Sequence, residues 1–235
     1  TSKINFSADG AEFDTNGVQY VINPYDEFAL ARAMWFKEKQ GANITVITVG
    51  NSSTEPSLRK SLAIGADDAI RIDAEATDGF AVAKQLAEVI KSNNYDVILT
   101  GRESIDYNGA MVPGMLATLI DYNFINACVG LEIDGTAVTA TKEIDGGTEA
   151  LTSALPIVVA GQKGMVEEKD LRIPNMRGIM MARKKPLVIV ASNNSEATTK
   201  AVKFDKPEAK GACKMIDADA IDELIDLLQN EAKVL

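Results

Sequence analysis

The sequence predicts an α/β fold, an open and mostly parallel sheet of the Rossmann-like, adenine-nucleotide-binding type with helices on both faces. Three observations predict it. Short β-branched runs alternate with amphipathic stretches of helical length through the first half; small-residue turns follow the strand patterns; and the second half changes to the closely spaced turn signals of antiparallel hairpins.

The elements follow in order. Residues 11 to 22 read as a hairpin, with Ala8-Asp9-Gly10 and Thr15-Asn16-Gly17 supplying turn residues. Asn23-Pro24 reads as an N-cap with proline at the first helical position, Asp26 and Glu27 suit the dipole of a first turn, and Gly41 is a stop, so a helix spans about Pro24 to Gln40. Ile44 to Val49 is a strand, ending in Gly50-Asn51-Ser52-Ser53 before a helix that carries Leu58 and Leu62. A strand at Ala69 to Ile72, a helix at about Gly79 to Lys91 and a strand at Val97-Ile98-Leu99 continue the alternation. Parallel strands joined by helices imply right-handed crossovers. Beyond Phe124, Asp134-Gly135-Thr136 and Asp145-Gly146-Gly147 mark antiparallel meanders, and Ile157-Val158-Val159 and Leu187 to Val190 are buried strands.

This divides the chain into an α/β domain over 1–190 and an arm over 191–235 that ends in a helix through Ile221, Leu224, Ile225 and Leu228. Within the domain, 161–182 is a long excursion rich in Met and too polar and irregular for a core element. The cations Arg177, Arg183, Lys184 and Lys185 form either a basic edge there or a solvated charge run.

Composition removes several function classes. The net charge of -10 repels a phosphate backbone, which argues against nucleic acid. Histidine is absent, so Ser-His-Asp triads and most transition-metal sites are excluded. Cys128 and Cys213 lack CxxC spacing and read as reduced packing residues. No apolar run approaches the ~18 to 20 residues of a membrane span and no signal peptide is visible, so a cytoplasmic or mitochondrial-matrix protein is expected. Neither GxGxxG nor GxxxxGK[ST] occurs, so any nucleotide is held in another way.

Open α/β sheets bind ligands at the carboxyl ends of parallel strands, where turn amides and helix N-termini present free N–H groups. Two such ends stand out. One is Val49-Gly50-Asn51-Ser52-Ser53, which also reads as an ordinary tight turn. The other is the loop Gly101-Arg102-Glu103-Ser104-Ile105-Asp106-Tyr107-Asn108-Gly109-Ala110. In it Gly101 permits close backbone approach, Asp106 can accept from a ribose hydroxyl or cap the helix, and the amides of Asn108 to Ala110 open the next helix. The alternative makes Asp106 or Asn108 a plain N-cap.

Taken together, Asn23-Pro24-Tyr25-Asp26-Glu27, Val46-Ile47-Thr48-Val49-Gly50, Ala63-Ile64-Gly65-Ala66-Asp67, Gly101-Arg102-Glu103-Ser104-Ile105-Asp106, Glu143-Ile144-Asp145-Gly146-Gly147 and Ile173-Pro174-Asn175-Met176 resemble, in order, the β subunit of electron transfer flavoprotein. The resemblance implies a non-enzymatic electron-carrier subunit in a heterodimer with an FAD-bearing α subunit. It implies AMP in this subunit, or a second FAD in members that bifurcate electrons. By similarity the nucleotide contacts fall on Asn23, Pro24, Tyr25, Asp26, Val49, Gly50, Gly101, Arg102, Glu103, Ser104, Asp106, Tyr107, Asn108, Gly109 and Ala110, with Tyr25 also approaching the partner's flavin. Ile173, flanked by Pro174, Asn175 and Met176, matches the apolar anchor of a loop that docks acyl-CoA and other flavoprotein dehydrogenases. Electrons would pass on towards a membrane quinone oxidoreductase, as in fatty acid oxidation, and the arm would wrap the α subunit.

Two departures from the family pattern carry expectations. The family begins with a β-strand that Thr1-Ser2-Lys3 lies just past, and a chain without it should expose sheet edges and bind AMP poorly. The family's loop usually carries a longer acidic stretch with Thr or Gln near its end; here Tyr107-Asn108-Gly109-Ala110 leaves phosphate to backbone amides. The rival reading is a stand-alone adenine-nucleotide sensor of related fold.

Overall fold

The computed structural model describes residues 4–209 and 211–235, so Thr1-Ser2-Lys3 and the expectation attached to them lie outside the described residues. The chain forms two compact units, one of residues 15–201 and one of residues 4–14 with 202–235.

The larger unit carries the α/β architecture. Helix α1 runs Pro24–Gln40, with Asp26 and Glu27 in its first turn, and ends where left-handed Gly41 donates its N–H to the Lys37 carbonyl. Strand β1 (Thr45–Val49) leads through a 3-10 turn at Ser52–Thr54 into α2 (Glu55–Ile64). Strand β2 (Asp68–Asp73), α3 (Gly79–Asn93), β3 (Val97–Gly101) and α4 (Val112–Ile120) follow. The meander is β4 (Asn123–Asp134), β5 (Ala137–Ile144) and β6 (Gly147–Ala154), hinged at the two expected Gly turns. Then come β7 (Ile157–Gly161), α5 (Met176–Ala182) and β8 (Leu187–Ala191).

The strands hydrogen-bond as two sheets, β1-β2-β8 and β3-β7-β4-β5-β6, parallel at every pair except β4-β5 and β5-β6. All five residues of β7 are buried, because it is paired on both sides and covered on both faces. Alternation sends Ile157 and Val159 into a cluster with Phe28 and Ala31 of α1, and Val158 into a cluster with Ala83, Leu116 and Ile120 of α3 and α4. Each fully buried Val or Ile stabilises the fold by about 1.5–3 kcal/mol. Strand β1 is only half-buried along its length, and so is β3 up to Gly101; each has a single strand neighbour among the described residues. Val46 and Leu99 nevertheless share a cluster under α1, and Ile47 and Ile98 share one with α3 and α4.

Several expectations are corrected. Residues 11 to 22 form no hairpin: an isolated bridge joins Phe6 to Phe13, and residues 15–22 have only a turn. Too few alternating apolar residues lie there for two strands to bury a face. The excursion 161–182 is not wholly outside the core, because Met165 and Val166 are buried beside Cys128 and Leu131. Lys185 belongs to no basic edge: its ammonium donates to the Leu62 and Ala66 carbonyls, closing the end of α2, and burial lowers its pKa. Cys128 packs as expected, but Cys213 is exposed.

After β8 the chain has no regular element up to Ala201, and Asp78 holds this stretch. The carboxylate caps α3 through the Ala81 N–H and accepts from the N–H and hydroxyl groups of Thr198 and Thr199. These bonds, the Ala81 amide first, depress its pKa well below the usual carboxylate range. In the smaller unit Phe6 stacks on Phe204 and meets Phe13 edge-on, while the Phe204 N–H donates to the Gly10 carbonyl. Its C-terminal helix α6 (Ile221–Asp226) widens into a π-turn over Leu227–Glu231 and leaves Ile221, Leu224 and Ile225 exposed.

Candidate nucleotide-binding site

The site is built where β3 ends and α1 begins. Gly101 has no room for a side chain: a Cβ there would lie 2.7 Å from Tyr25 Cβ, 2.9 Å from Asn23 Nδ2 and 3.1 Å from the Asp26 amide. That closeness lets the Gly101 N–H donate to Asp26 Oδ1 at 2.6 Å. Asn23 does not cap α1, the role its position suggests. Its Nδ2 donates to Asp26 Oδ2 and to the Glu103 carbonyl, both at 2.8 Å, and its Oδ1 accepts from the Ile105 N–H at 3.3 Å. One side chain therefore ties the helix start to the first half of the loop. Burial raises the Asp26 pKa, outweighing the two donors that favour its ionised form.

Arg102 fixes the outer flank. Its N–H donates to the Gly161 carbonyl at 2.8 Å, and its guanidinium donates to Gln162 Oε1 at 2.9 Å, pairs with Glu103 at 3.4 Å and lies 6.0 Å from the centre of the Tyr25 ring. Gln162 in turn donates to Glu143. This chain borders a cavity of about 590 Å³ whose walls include Tyr25, Arg102, Glu143, Gln162 and Lys163. Sequence reasoning did not single out Gln162. The signal was available: a glutamine directly after the fully apolar run of β7, which the structure buries to 5% exposure.

The second half of the loop folds on itself. Ser104 Oγ donates to Asp106, and the Ser104 carbonyl accepts from the amides of Tyr107 and Asn108. Two expectations change here. The Asn108 amide is consumed inside the loop, and α4 begins only at Val112 with no side chain capping it, so neither Asp106 nor Asn108 is its N-cap. The N–H groups of Gly109, Ala110 and Met111 donate to no acceptor among the described residues. Ala110 has φ 48°, and Met111 after it has φ -100° and ψ -29°. A left-handed residue followed by a right-handed one turns successive N–H groups to the same side, which makes an anion-binding concavity, here at the open start of a helix. Asn108 is also left-handed, at φ 49°.

The other strand end is different. The Gly50 N–H donates to the Ile72 carbonyl at 3.0 Å and the Gly50 carbonyl accepts from Arg71 at 2.9 Å. Asn51 spends its carboxamide oxygen on Ser53 and its amino group on Glu75. Val49-Gly50 makes no hydrogen bond to the 101–110 loop among the described residues. Pro24 stands at the first position of α1, where its missing N–H costs nothing. The structure thus joins Asn23, Tyr25, Asp26, Gly101, Arg102 and Glu103 by direct contact and leaves Ile173, Pro174, Asn175 and Met176 in a separate group, where Asn175 caps α5 through the Gly178 N–H. Among the described residues no cluster of acids and Cys could hold a metal, and no helix is long and apolar enough to cross a membrane.

Residues 11–195 match the family model for the electron transfer flavoprotein domain. The electron transfer flavoprotein subunit beta of Bacillus subtilis is 35% identical over 234 residues, covering 94% of this chain and 90% of that protein. That of Syntrophomonas wolfei is 36% identical over 223 residues, with 93% and 87% covered, and that of Bradyrhizobium diazoefficiens is 30% identical over 237 residues, with 99% and 94% covered. With a domain match over most of its length, and relatives of that name aligned almost end to end, the chain belongs to the electron transfer flavoprotein family as a β subunit.

Proposed function

We propose that this chain is the nucleotide-holding subunit of a heterodimeric electron transfer flavoprotein, and that it binds AMP at the β3–α4 loop while an α subunit carries the FAD. The three uncommitted amides at Gly109, Ala110 and Met111 carry this reading. They supply what a phosphate needs, and the Asn23–Asp26–Gly101 clamp holds them on a fixed base. Asp106 and Ser104 stand beside them for the ribose; Glu103, Tyr107 and Asn108 shape the wall. Gly50 contributes surface rather than a donor, since its N–H and carbonyl are spent, and Val49 stands beside it at the end of β1.

The FAD of the α subunit supplies the redox ring. Tyr25 and Arg102, which line the 590 Å³ cavity with the guanidinium 6.0 Å from the ring centre, face the flavin from this side, and the guanidinium there favours a reduced, negatively charged ring. Ile173, 89% exposed on a short stretch before α5, enters an apolar pocket on the dehydrogenase that donates electrons. Met176 and Met180 give that contact adaptable edges, which suits a surface serving several acyl-CoA and other flavoprotein dehydrogenases. The arm after Ala191 and the exposed apolar side of α6 lie against the α subunit.

The test is to co-express the chain with its α subunit, denature the purified complex and identify the released nucleotides by chromatography. One FAD and one AMP per heterodimer is the expected result. Two FAD would make the complex an electron-bifurcating one, and a colourless chain that binds neither a partner nor a nucleotide would refute the proposal.

A further inference from the structure

Beside Ile173 the surface also has a hole. A groove of about 510 Å³ lies between α2 and α5, with Ala63, Pro174, Ile179 and Ala182 as its apolar lining and Arg59, Lys60 and Arg183 as its charges. Its walls are fixed. At Gly178 any Cβ would collide with the Ala63 carbonyl, so α5 sits directly on α2, and Arg59 ties the two by donating to the Ala182 and Lys185 carbonyls at 2.8 and 2.9 Å. Lys60 is held by Glu27 at 2.6 Å.

The charge around this groove runs against the rest of the chain. The molecule carries a net charge of -10, yet residues 171–195 contain Arg172, Arg177, Arg183, Lys184 and Lys185 and no Asp or Glu. Arg172 pairs with Glu38, and Lys185 is spent on α2. Arg177, Arg183 and Lys184 have no hydrogen-bond or carboxylate partner for their side chains among the described residues. Arg183 therefore lines the groove as a free cation, Arg177 and Lys184 in and just after α5 are free as well, and Ile173, Met176 and Met180 of the same segment are exposed at 89%, 74% and 65%.

We infer that this groove receives an acidic, amphipathic helical segment of the docked partner protein, an apolar side chain of that segment filling the hole between Ala63 and Ile179 while its carboxylates meet Arg183, Lys184 and Arg177. The inference rests on the docking role of Ile173 and gives the contact two directions: this chain inserts Ile173 into the partner, and the partner inserts a side chain here. Opposite charge at the rim steers approach and fixes register, and the buried apolar contact supplies the lifetime. The rest of the acidic surface repels the same segment and restricts it to this patch.

The test uses the complete heterodimer and a purified acyl-CoA dehydrogenase as probe, with association measured at several salt concentrations. The double reversal Arg183→Glu with Lys184→Glu should weaken binding at low salt at least about tenfold and flatten its salt dependence. The milder Arg183→Gln should do so in part. Both positions are exposed and unpartnered, so an unchanged melting temperature checks the fold. Ile173→Ala should weaken binding at every salt concentration and leave the salt dependence as it was. If Ile173→Ala weakens binding while the reversal changes neither affinity nor salt dependence, the groove has no such role and the docking reading stands. If neither does, the docking reading itself fails. Self-association of heterodimers abolished by the same reversal would assign the groove to a second copy and overturn the inference.

Discussion

The carboxyl ends of β1 and β3 look alike in sequence, each a β-branched run closing on glycine and a polar turn, and the structure uses them in opposite ways. At β1 the turn is saturated: the Gly50 amide and carbonyl, the Asn51 side chain and the Thr54 hydroxyl all have partners within a few residues or in β2. At β3 the Thr100 hydroxyl is buried without a partner, the first half of the loop is tied by long-range bonds to Asn23 and Asp26, and the far side of the loop keeps free donors. A strand-end turn becomes a binding site when its base is anchored from elsewhere in the chain and its tip is not. The tip alone would collapse onto its own carbonyls, as the 104–108 turn does.

The largest effect that separates the two ends is steric. Gly101→Val places its Cβ against backbone and Cβ atoms that cannot swing aside, and should destabilise the protein by about 3 kcal/mol while weakening AMP at least about tenfold. At Gly50 the nearest atom to an added Cβ is Thr54 Cγ2 at 2.5 Å, part of a short side chain that can rotate. Gly50→Ala should therefore cost less than half as much and leave AMP affinity within about twofold. Chemical denaturation and calorimetric titration of both variants check this; equal losses at the two glycines would erase the distinction. Next is Asn23→Ala, which removes three bonds of a half-buried side chain. It should cost about 2 kcal/mol and loosen the loop, seen as faster amide exchange at Glu103 and Ile105 with β1 unaffected.

How far the sequence reveals this contrast depends on range. Helix α1 is legible to the residue because Asn23-Pro24 and Gly41 are local signals at its two ends. The hairpin turns at Gly135 and Gly146 and the strand alternation are local too. The Asn23 clamp is not, because asparagine before proline reads as a cap, and only the fold brings Glu103, 80 positions away, into its reach. Lys185 reads as one of a charge run for the same reason: its partners are the Leu62 carbonyl of α2 and the Ala66 carbonyl just past it, more than 100 positions earlier. The start of α4 differs from the capping alternative because Ser104 draws the Asp106 carboxylate and the Asn108 N–H into the 104–108 turn, and the helix begins only four residues after Asn108, at Val112. In the excursion, methionine serves the core at Met165 and the surface at Met176 and Met180, a difference that composition cannot carry.

The anchored base can be probed through its one perturbed carboxyl. Burial holds the Asp26 pKa above the ordinary carboxylate value, so in the folded protein its protonated form is favoured relative to the unfolded chain. A raised pKa contributes stability that is complete below the unfolded value and lost as pH rises through the folded one. Asp26→Asn carries a fixed penalty, since its amino group faces a donor, but no titration. The stability of wild type relative to this variant should decline as pH climbs from about 4 towards neutrality, and melting curves across that range measure it. A constant difference would mean that the base is not buried in solution.

The smallest effect concerns the tip. Ala110 holds φ 48°, a conformation in which its Cβ crowds the backbone, and no hydrogen bond of its own amide compensates among the described residues. Relieving that crowding with Ala110→Gly should raise the stability of the nucleotide-free protein by about 0.5–1 kcal/mol, less whatever the added glycine freedom gives back to the unfolded chain. AMP works in the opposite sense. If the left-handed turn is held so that three amides converge on a phosphate, glycine at this position can leave that geometry at little cost, and binding must then reorder it. The variant should melt higher without nucleotide and gain less from saturating AMP than wild type does. The same substitution at Ala127, left-handed at φ 51° in the β4 bulge, relieves the same crowding far from the loop, so it should raise the melting temperature with and without AMP equally. A shift of that uniform kind at Ala110 would show that the strained tip has no part in holding the phosphate, and would reduce the contrast between the two strand ends to one of anchoring alone.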